Sequence, residues 1–198
     1  ILFDYGDVIE LSELQVIPGI RDILGVTKEE WRTMYFAHNH LTNIENRDWK
    51  EVALLVAEKL GGTEEQRQQI SDLVDEGSKR KKLNIELLEW IRKLRSVGLK
   101  TGIISNYTSI LREKIVEQNI ANLFDVVVIS AEEGYQKPSP ELFEIAFKKL
   151  DVLPLNIIFI DDAPNSLRLA TEIGYTPILY TNNEDLKNSL TKILGIEL

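Results

Sequence analysis

Asn156-Ile157-Ile158-Phe159-Ile160 carries no polar residue between Asn156 and the acid pair Asp161-Asp162. A strand with one wet face alternates polar and apolar residues. A run that is apolar at every position fits a strand covered on both sides, as in a parallel sheet. Four more short runs share this character: Ile1-Leu2-Phe3, Thr101-Gly102-Ile103-Ile104, Val126-Val127-Val128-Ile129 and Thr176-Pro177-Ile178-Leu179-Tyr180. From Leu83 onward, helical segments separate them. Ile85, Leu88, Ile91 and Leu94 recur at helical spacing between Leu83 and Val97, and Gly98 stands where a C-cap belongs. Ser139-Pro140-Glu141 reads as a helix start, with Ser as N-cap, Pro at the first helical position and an acid in the first turn. Asn165 to Ile173 reads as a third helix, closed by Gly174. Strands alternating with helices predict an α/β fold with a doubly wound parallel sheet.

Residues 11–82 break that rhythm. Thr27-Lys28-Glu29-Glu30 is a capping box, Arg47 to Leu60 is amphipathic and ends at Gly61-Gly62, and Thr63 opens another helix running to about Lys79. The expected organisation is a core of residues 1–10 and 83–198, with an all-helical insertion of residues 11–82 placed after the first strand. The run Lys79-Arg80-Lys81-Lys82 reads as a solvated helix end, where cations offset the dipole.

Composition narrows the function. The 198 residues hold 32 acids against 23 bases, for a net charge of −9. Such a surface repels nucleic-acid backbones and anionic lipid, so neither is an expected partner. There is no cysteine, which excludes disulfides and thiolate metal sites and suits a cytoplasmic location. The longest purely apolar stretch, Val52 to Ala57, is far short of the ~18 residues a membrane helix needs. The chain opens at Ile1 inside an apolar run, with no Met, basic region or signal-peptide core, so a few trimmed residues are expected.

The chemistry gathers behind the apolar runs. Asp4 follows the first, Ser105-Asn106 the second and Asp161-Asp162 the fourth; Lys137-Pro138 lies in the loop after the third. Ligands of open α/β sheets bind beyond the carboxyl ends of the strands. Several carboxylates gathered there call for a hard divalent cation, and magnesium takes few carboxylates while leaving room for phosphate oxygens. A phosphate beside them would meet Lys137 and Ser105 and could be attacked by a carboxylate.

Phe3-Asp4-Tyr5-Gly6-Asp7-Val8-Ile9, Ile104-Ser105-Asn106, Lys137-Pro138 and Phe159-Ile160-Asp161-Asp162 together resemble the four ordered motifs of the haloacid dehalogenase-like hydrolase superfamily. The helical insertion resembles the cap of its dehalogenase- and phosphoglycolate-phosphatase-like branch. The order of the motifs excludes receiver domains, in which the acid pair comes first and the lysine last. The resemblance implies a Rossmann-like core and a magnesium-dependent phosphomonoester hydrolase of a small phosphorylated metabolite. It makes Asp4 the nucleophile and a magnesium ligand, the Gly6 carbonyl a second ligand and Asp162 a third. Asp161 becomes a supporting residue or alternative ligand. Ser105 and Asn106 would hold the phosphate, and Lys137 would offset its charge.

The sequence departs from the family pattern at Gly6. Most phosphatases of the superfamily carry there a second Asp, which protonates the leaving group; here Asp7 comes one place late. Asp7 as a surrogate acid, activity confined to good leaving groups, a 2-haloacid dehalogenase and a catalytically weak binding protein are the alternatives. Ser166 likewise occupies a place where an Asp often comes after the metal ligand. His38 and His40, two apart in an expected cap helix, do not share a face. Trp31, Trp49 and Trp90 read as core, and Tyr35, His38 and Asn39 as candidates for reading the substrate. Oligomeric state has no signature in the sequence.

Overall fold

The apolar runs become one parallel sheet in the computed structural model, which describes residues 1–198. Strand β1 (Leu2–Phe3) is followed by β2 (Glu10–Ser12) and five helices: α1 (Val16–Leu24), α2 (Lys28–His38), α3 (His40–Asn43), α4 (Trp49–Lys59) and α5 (Glu64–Lys79). Next come β3 (Lys81–Leu83), α6 (Ile85–Ser96), β4 (Gly102–Ser105), α7 (Leu111–Glu117), β5 (Val126–Ile129), α8 (Ser130–Glu133) and α9 (Pro140–Leu150). The chain closes with β6 (Ile158–Asp161), α10 (Pro164–Leu167), α11 (Ala170–Ile173), β7 (Thr176–Leu179) and α12 (Asn183–Leu194). Strand order is β5-β4-β1-β6-β7, all parallel, with β1 at the centre.

Successive side chains of these strands feed two cores. Phe3, Ile103 and Ile160 pack on one face with Leu87, Trp90 and Ile91 of α6. Leu2, Ile104 and Phe159 pack on the other with Phe143 and Phe147 of α9. Both faces are dry at β1, β4 and β6, which is why those runs do not alternate; β7 departs from the expectation, since at the sheet edge it leaves Thr176, Pro177 and Leu179 exposed. Gly102 is demanded by crowding: a Cβ there would sit 2.4 Å from Val126 Cγ1 and 2.9 Å from its carbonyl oxygen.

The sequence expectations for residues 11–82 hold for the helices and fail at the edges. Capping boxes form at Thr27/Glu30 and at Thr63/Gln66. Ile20, Trp31, Val52, Val56, Ile70 and Val74 build a separate apolar cluster among these helices. The segment is not all-helical, however: β2 and β3 pair antiparallel, Glu10 opposite Leu83 and Ser12 opposite Lys81, and form its stem. The lysine run is therefore a helix end only at Lys79 and Arg80. Lys79 closes α5, whereas Lys81 and Lys82 lie in β3 and face Glu10 and Glu13. His38 and His40 fall on different helices, α2 and α3. The single helix expected over Asn165–Ile173 is split into α10 and α11.

A buried polar network anchors this stem. Glu10, 4% exposed, accepts hydrogen bonds from the Tyr5 hydroxyl at 3.0 Å, Gln118 Nε2 at 2.9 Å and Lys114 Nζ at 2.7 Å. Just beyond the other strand of the stem, Asn84 donates to the Val8 carbonyl and to the Tyr180 hydroxyl, each at 3.1 Å. Removing one member of such a network strands the rest away from water. Glu10→Ala is therefore expected to lower unfolding free energy by about 1–3 kcal/mol in urea denaturation, and Glu10→Gln, which keeps an acceptor for Tyr5, by less. Equal stability of Glu10→Ala and the parent chain would refute the anchoring role.

Candidate active site

Parallel register sets the site. Phe3 lies opposite Ile103 on one side and Ile160 on the other, so Asp4, Ser105 and Asp161 emerge together at the carboxyl ends of β1, β4 and β6. The Asp4 N–H donates to the Ile160 carbonyl at 2.8 Å and fixes the central strand at this end. Lys137 arrives from the loop between α8 and α9. Both ends of the Asn106 amide hold that loop: Oδ1 accepts the Lys137 N–H at 2.7 Å, and Nδ2 donates to the Lys137 carbonyl at 3.3 Å.

Asp4 Oδ1 accepts three donors: the Tyr5 N–H at 2.7 Å, the Ser105 hydroxyl at 2.8 Å and Lys137 Nζ at 2.9 Å. Asp4 Oδ2 has no protein donor. Lys137, 5% exposed, also donates to Asp161 Oδ2 at 2.5 Å, while Asp161 Oδ1 accepts the Ala163 N–H at 2.8 Å. Asp161 is thus wholly buried with both oxygens engaged, whereas Asp162 is exposed to the crevice. Carboxylate oxygens of Asp4, Asp161 and Asp162 lie within 4.8 Å of one another.

Three carboxylates and one ammonium leave the cluster with excess negative charge, and this governs its protonation. Burial, assisted by Asp161, raises the Asp4 carboxyl above its usual range against the pull of Lys137. Shielding from bulk water by the crevice walls, then Asp4, Asp161 and Asp7, push Asp162 up to about 7 although part of it stays exposed. Burial opposes the charge on Lys137, but Asp161 and Asp4 outweigh it and hold the ammonium above its normal value. A divalent cation answers this imbalance, because it neutralises the carboxylates without protonating them.

Gly6 and Asp7 form the turn leaving β1. The positive φ that a glycine would permit is at Asp7 instead, at 54°, and a Cβ built on Gly6 meets nothing within 4 Å. Asp7 lines the crevice, and its Oδ1 accepts the Ser12 N–H at 3.0 Å.

A cleft of ≈ 1410 Å³ opens between the sheet and the helical segment, lined by Asp4, Asp7, Ser105, Asn106 and Asp162 on one side and by Arg21, Tyr35, Thr42 and Trp49 on the other. Asn43 Nδ2 donates to Gln136 Oε1 at 2.8 Å, and Asn46 exchanges two hydrogen bonds with Ser109, so the two sides touch beside the site. Of the three residues expected to read a substrate, Tyr35 lines the cleft; His38 Nδ1 instead lies 2.9 Å from the Met34 carbonyl and Asn39 is buried at the α2–α3 junction. Trp31 and Trp90 are core, as expected; Trp49 sits on the cleft wall. Sequence reasoning missed the Tyr5 N–H, which carries no side-chain signature, and Arg21 and Thr42, which share no motif. Asn106, expected to hold phosphate, bonds the Lys137 peptide with each end of its amide and keeps a second amide N–H.

The sequence matches the haloacid dehalogenase-like hydrolase family over residues 15–174, and the chain belongs to that family. Asp4 and Asp7 precede the matched stretch. A haloacid dehalogenase-family enzyme of Bacteroides thetaiotaomicron shares the fold with a TM-score of 0.65 at 18% identity, 96% of each chain being covered. The same enzyme in complex with magnesium and inorganic phosphate gives a TM-score of 0.62 at 19% identity, covering 95% of this chain and 96% of the other. A glyceraldehyde 3-phosphate phosphatase of Methanothermobacter thermautotrophicus is 35% identical over 88 residues, 43% of this chain and 39% of that protein. A phosphoserine phosphatase of Thermus thermophilus is 30% identical over 108 residues, 54% of this chain and 43% of that one. The aligned stretch thus spans less than half the length of these curated relatives. No helix is long and apolar enough to cross a membrane.

The raised Asp162 carboxyl fixes the sign of a pH effect. Its folded value of about 7 exceeds its ordinary 3.8, so its contribution to stability is fully present below about pH 4 and is lost as pH rises through 7. In metal-free buffer the thermal midpoint is expected to fall between pH 5 and pH 8, with a smaller fall in Asp162→Asn. Millimolar magnesium chloride should raise the midpoint more at pH 8 than at pH 5. An equal fall in the Asn variant would remove Asp162 as its source.

Proposed function

We propose that this chain is a magnesium-dependent phosphomonoester hydrolase that acts on a small phosphorylated metabolite through an aspartyl-phosphate on Asp4. The observation that carries this reading is the state of Asp4: one oxygen is pinned by three donors, and the other is bare at the floor of the cleft. That geometry orients a carboxylate for attack without quenching it.

The donor set suits magnesium. Asp161 has both oxygens engaged and stays a supporting residue, leaving Asp4, Asp162 and the Gly6 carbonyl to hold the ion. When bound, it would supply positive charge to phosphate oxygens and offset the carboxylates. Lys137 adds a fixed ammonium to the same charge balance, and Ser105 orients Asp4 through its hydroxyl. In the first step Asp4 Oδ2 bonds to phosphorus as the bond from phosphorus to the ester oxygen breaks, and that oxygen takes a proton from water in the cleft to leave as the alcohol. Water then cleaves the acyl phosphate, releasing inorganic phosphate and restoring the carboxylate. The helical segment between β2 and β3 serves as the cap that covers the cleft and excludes bulk water. Family membership and the phosphatases among its relatives support this reading, and a chain without cysteine suits a cytoplasmic setting.

A 2-haloacid dehalogenase is the second reading. Three carboxylates gathered within 4.8 Å suit a bound cation better than a metal-free site, and that cluster favours the phosphatase. Asp4→Asn is expected to abolish phosphate release from p-nitrophenyl phosphate while the circular dichroism spectrum is retained. Asp162→Asn should raise the magnesium concentration needed for half-maximal rate. Chloride release from a 2-haloacid without magnesium would turn the assignment to the second reading.

The empty acid position gives another test. General acid catalysis is worth roughly 10²–10⁴-fold for poor leaving groups, and Gly6 offers none. The space around Gly6 and its ordinary backbone admit an Asp. Gly6→Asp is therefore expected to raise turnover of alkyl phosphates more than of aryl phosphates, flattening the dependence on leaving-group pKa. If Asp7→Asn cripples alkyl phosphates and Gly6→Asp brings no gain, Asp7 is the acid.

A further inference from the structure

Two buried side-chain polar atoms in the whole chain lack a hydrogen-bond partner, Arg21 Nε and Thr42 Oγ1. Both residues line the cleft that contains Asp4. Buried polar groups are almost always paired in folded chains, and two exceptions meeting in one cleft call for a common cause.

Arg21 is unusual a second way. Among lysines and arginines that are not solvent-exposed, Lys50, Arg67, Lys81, Arg95, Lys114 and Lys137 pair with carboxylates, and Lys187 sits over the Trp90 ring. Arg21 alone has neither carboxylate, carbonyl nor ring. It stands one turn beyond Ile17 and Pro18 on the α1 face that lines the cleft, so the wall changes along α1 from apolar to cationic. Thr42, 5% exposed on α3, lines the same cleft and holds its unpaired hydroxyl just beneath the wall. In a chain of net charge −9, with Asp4, Asp7 and Asp162 on the other side of the cleft, an arginine left without a counter-ion is equipped to receive an anion.

We infer that Arg21 and Thr42 form a distal subsite for a second oxyanion, so that the substrate is a phosphomonoester whose organic part carries a carboxylate or a second phosphate away from the scissile group. This inference rests on the phosphatase reading and names its substrate class. The guanidinium fork suits a carboxylate or phosphate edge, and the threonine hydroxyl donates to the same group or to a neighbouring oxygen. Ile17 and Pro18 pack along the intervening carbon chain.

Matched phosphomonoesters test it: alkyl phosphates of two to six carbons against the same chains ending in a carboxylate or a second phosphate. A charge-assisted pair in a shielded site is worth about tenfold or more. At the best chain length, kcat/KM should favour the anionic member by about that factor. Arg21→Gln should cut the ratio of anionic to neutral substrate about tenfold; Arg21→Lys should retain part of it, and Thr42→Val should lower it less. A readout independent of turnover is tryptophan fluorescence during titration with a linear dicarboxylate, since Trp49 lines the cleft. Binding should weaken about tenfold in Arg21→Gln. If no phosphomonoester is turned over while dicarboxylate binding still depends on Arg21, the phosphatase reading falls and the subsite stands. Equal kcat/KM for charged and neutral partners, a preference that survives Arg21→Gln, or no Arg21-dependent binding overturns the subsite.

Discussion

One ammonium holds the site together. Lys137 Nζ lies 2.9 Å from Asp4 and 2.5 Å from Asp161, with almost no exposure of its own. Taking these ions out of water is expensive, and a buried pair that loses one partner leaves an uncompensated charge. Everything that positions Lys137 therefore matters to Asp4: the Asn106 amide gripping its peptide group, the register that sets Asp161 beside Asp4, and the Phe159 ring 5.4 Å from its Nζ. The balance is incomplete. One ammonium against three carboxylates leaves a deficit of positive charge, and that deficit gives the crevice its appetite for a cation.

The same logic, in buried polar form, joins the two parts of the molecule. Glu10 sits at the base of the stem and draws together Tyr5, which adjoins Asp4, with Lys114 and Gln118 beside it on and after α7. Tyr5 in turn donates its backbone N–H to Asp4. The stem is thus joined to Asp4 through one residue. Across the cleft the contacts are lighter: half-buried or exposed pairs at Asn43 and Asn46, made of neutral amides and a hydroxyl. The bonds are thus strong at the stem and weak at the rim.

Much of this was legible in one dimension. Strands covered on both faces must be apolar throughout, so the runs at Ile1–Phe3, Gly102–Ile104, Val126–Ile129 and Ile157–Ile160 announced a parallel sheet. The chemistry of that architecture then directed attention to the residues at the carboxyl end of each run. Helix starts at Thr27 and Thr63 are local by nature and appeared where the residues placed them. The β2–β3 stem was not legible, because its two strands lie about seventy residues apart and each is only three residues long. Three residues with a lysine-rich partner carry no period strong enough to outweigh a reading as helix end. The break between α10 and α11 was hidden for a similar reason: nothing at Arg168 or Leu169 marks a stop.

Residue identity and order determined by themselves which groups meet at the sheet's edge, since a parallel register aligns the residues that leave the strands. Local sequence also determined the caps, the apolar faces and the absence of an acid at Gly6. Only the tertiary structure decided how those groups are used. Asn106 turned inward to Lys137 because that peptide group lies within reach of both ends of one amide, and Asp161 became occupied while Asp162 stayed free, though the two are adjacent in sequence. Arg21 was left without a counter-ion for the same reason: whether a charge is paired depends on which groups distant segments bring within a few ångströms, and no sequence spacing encodes that distance.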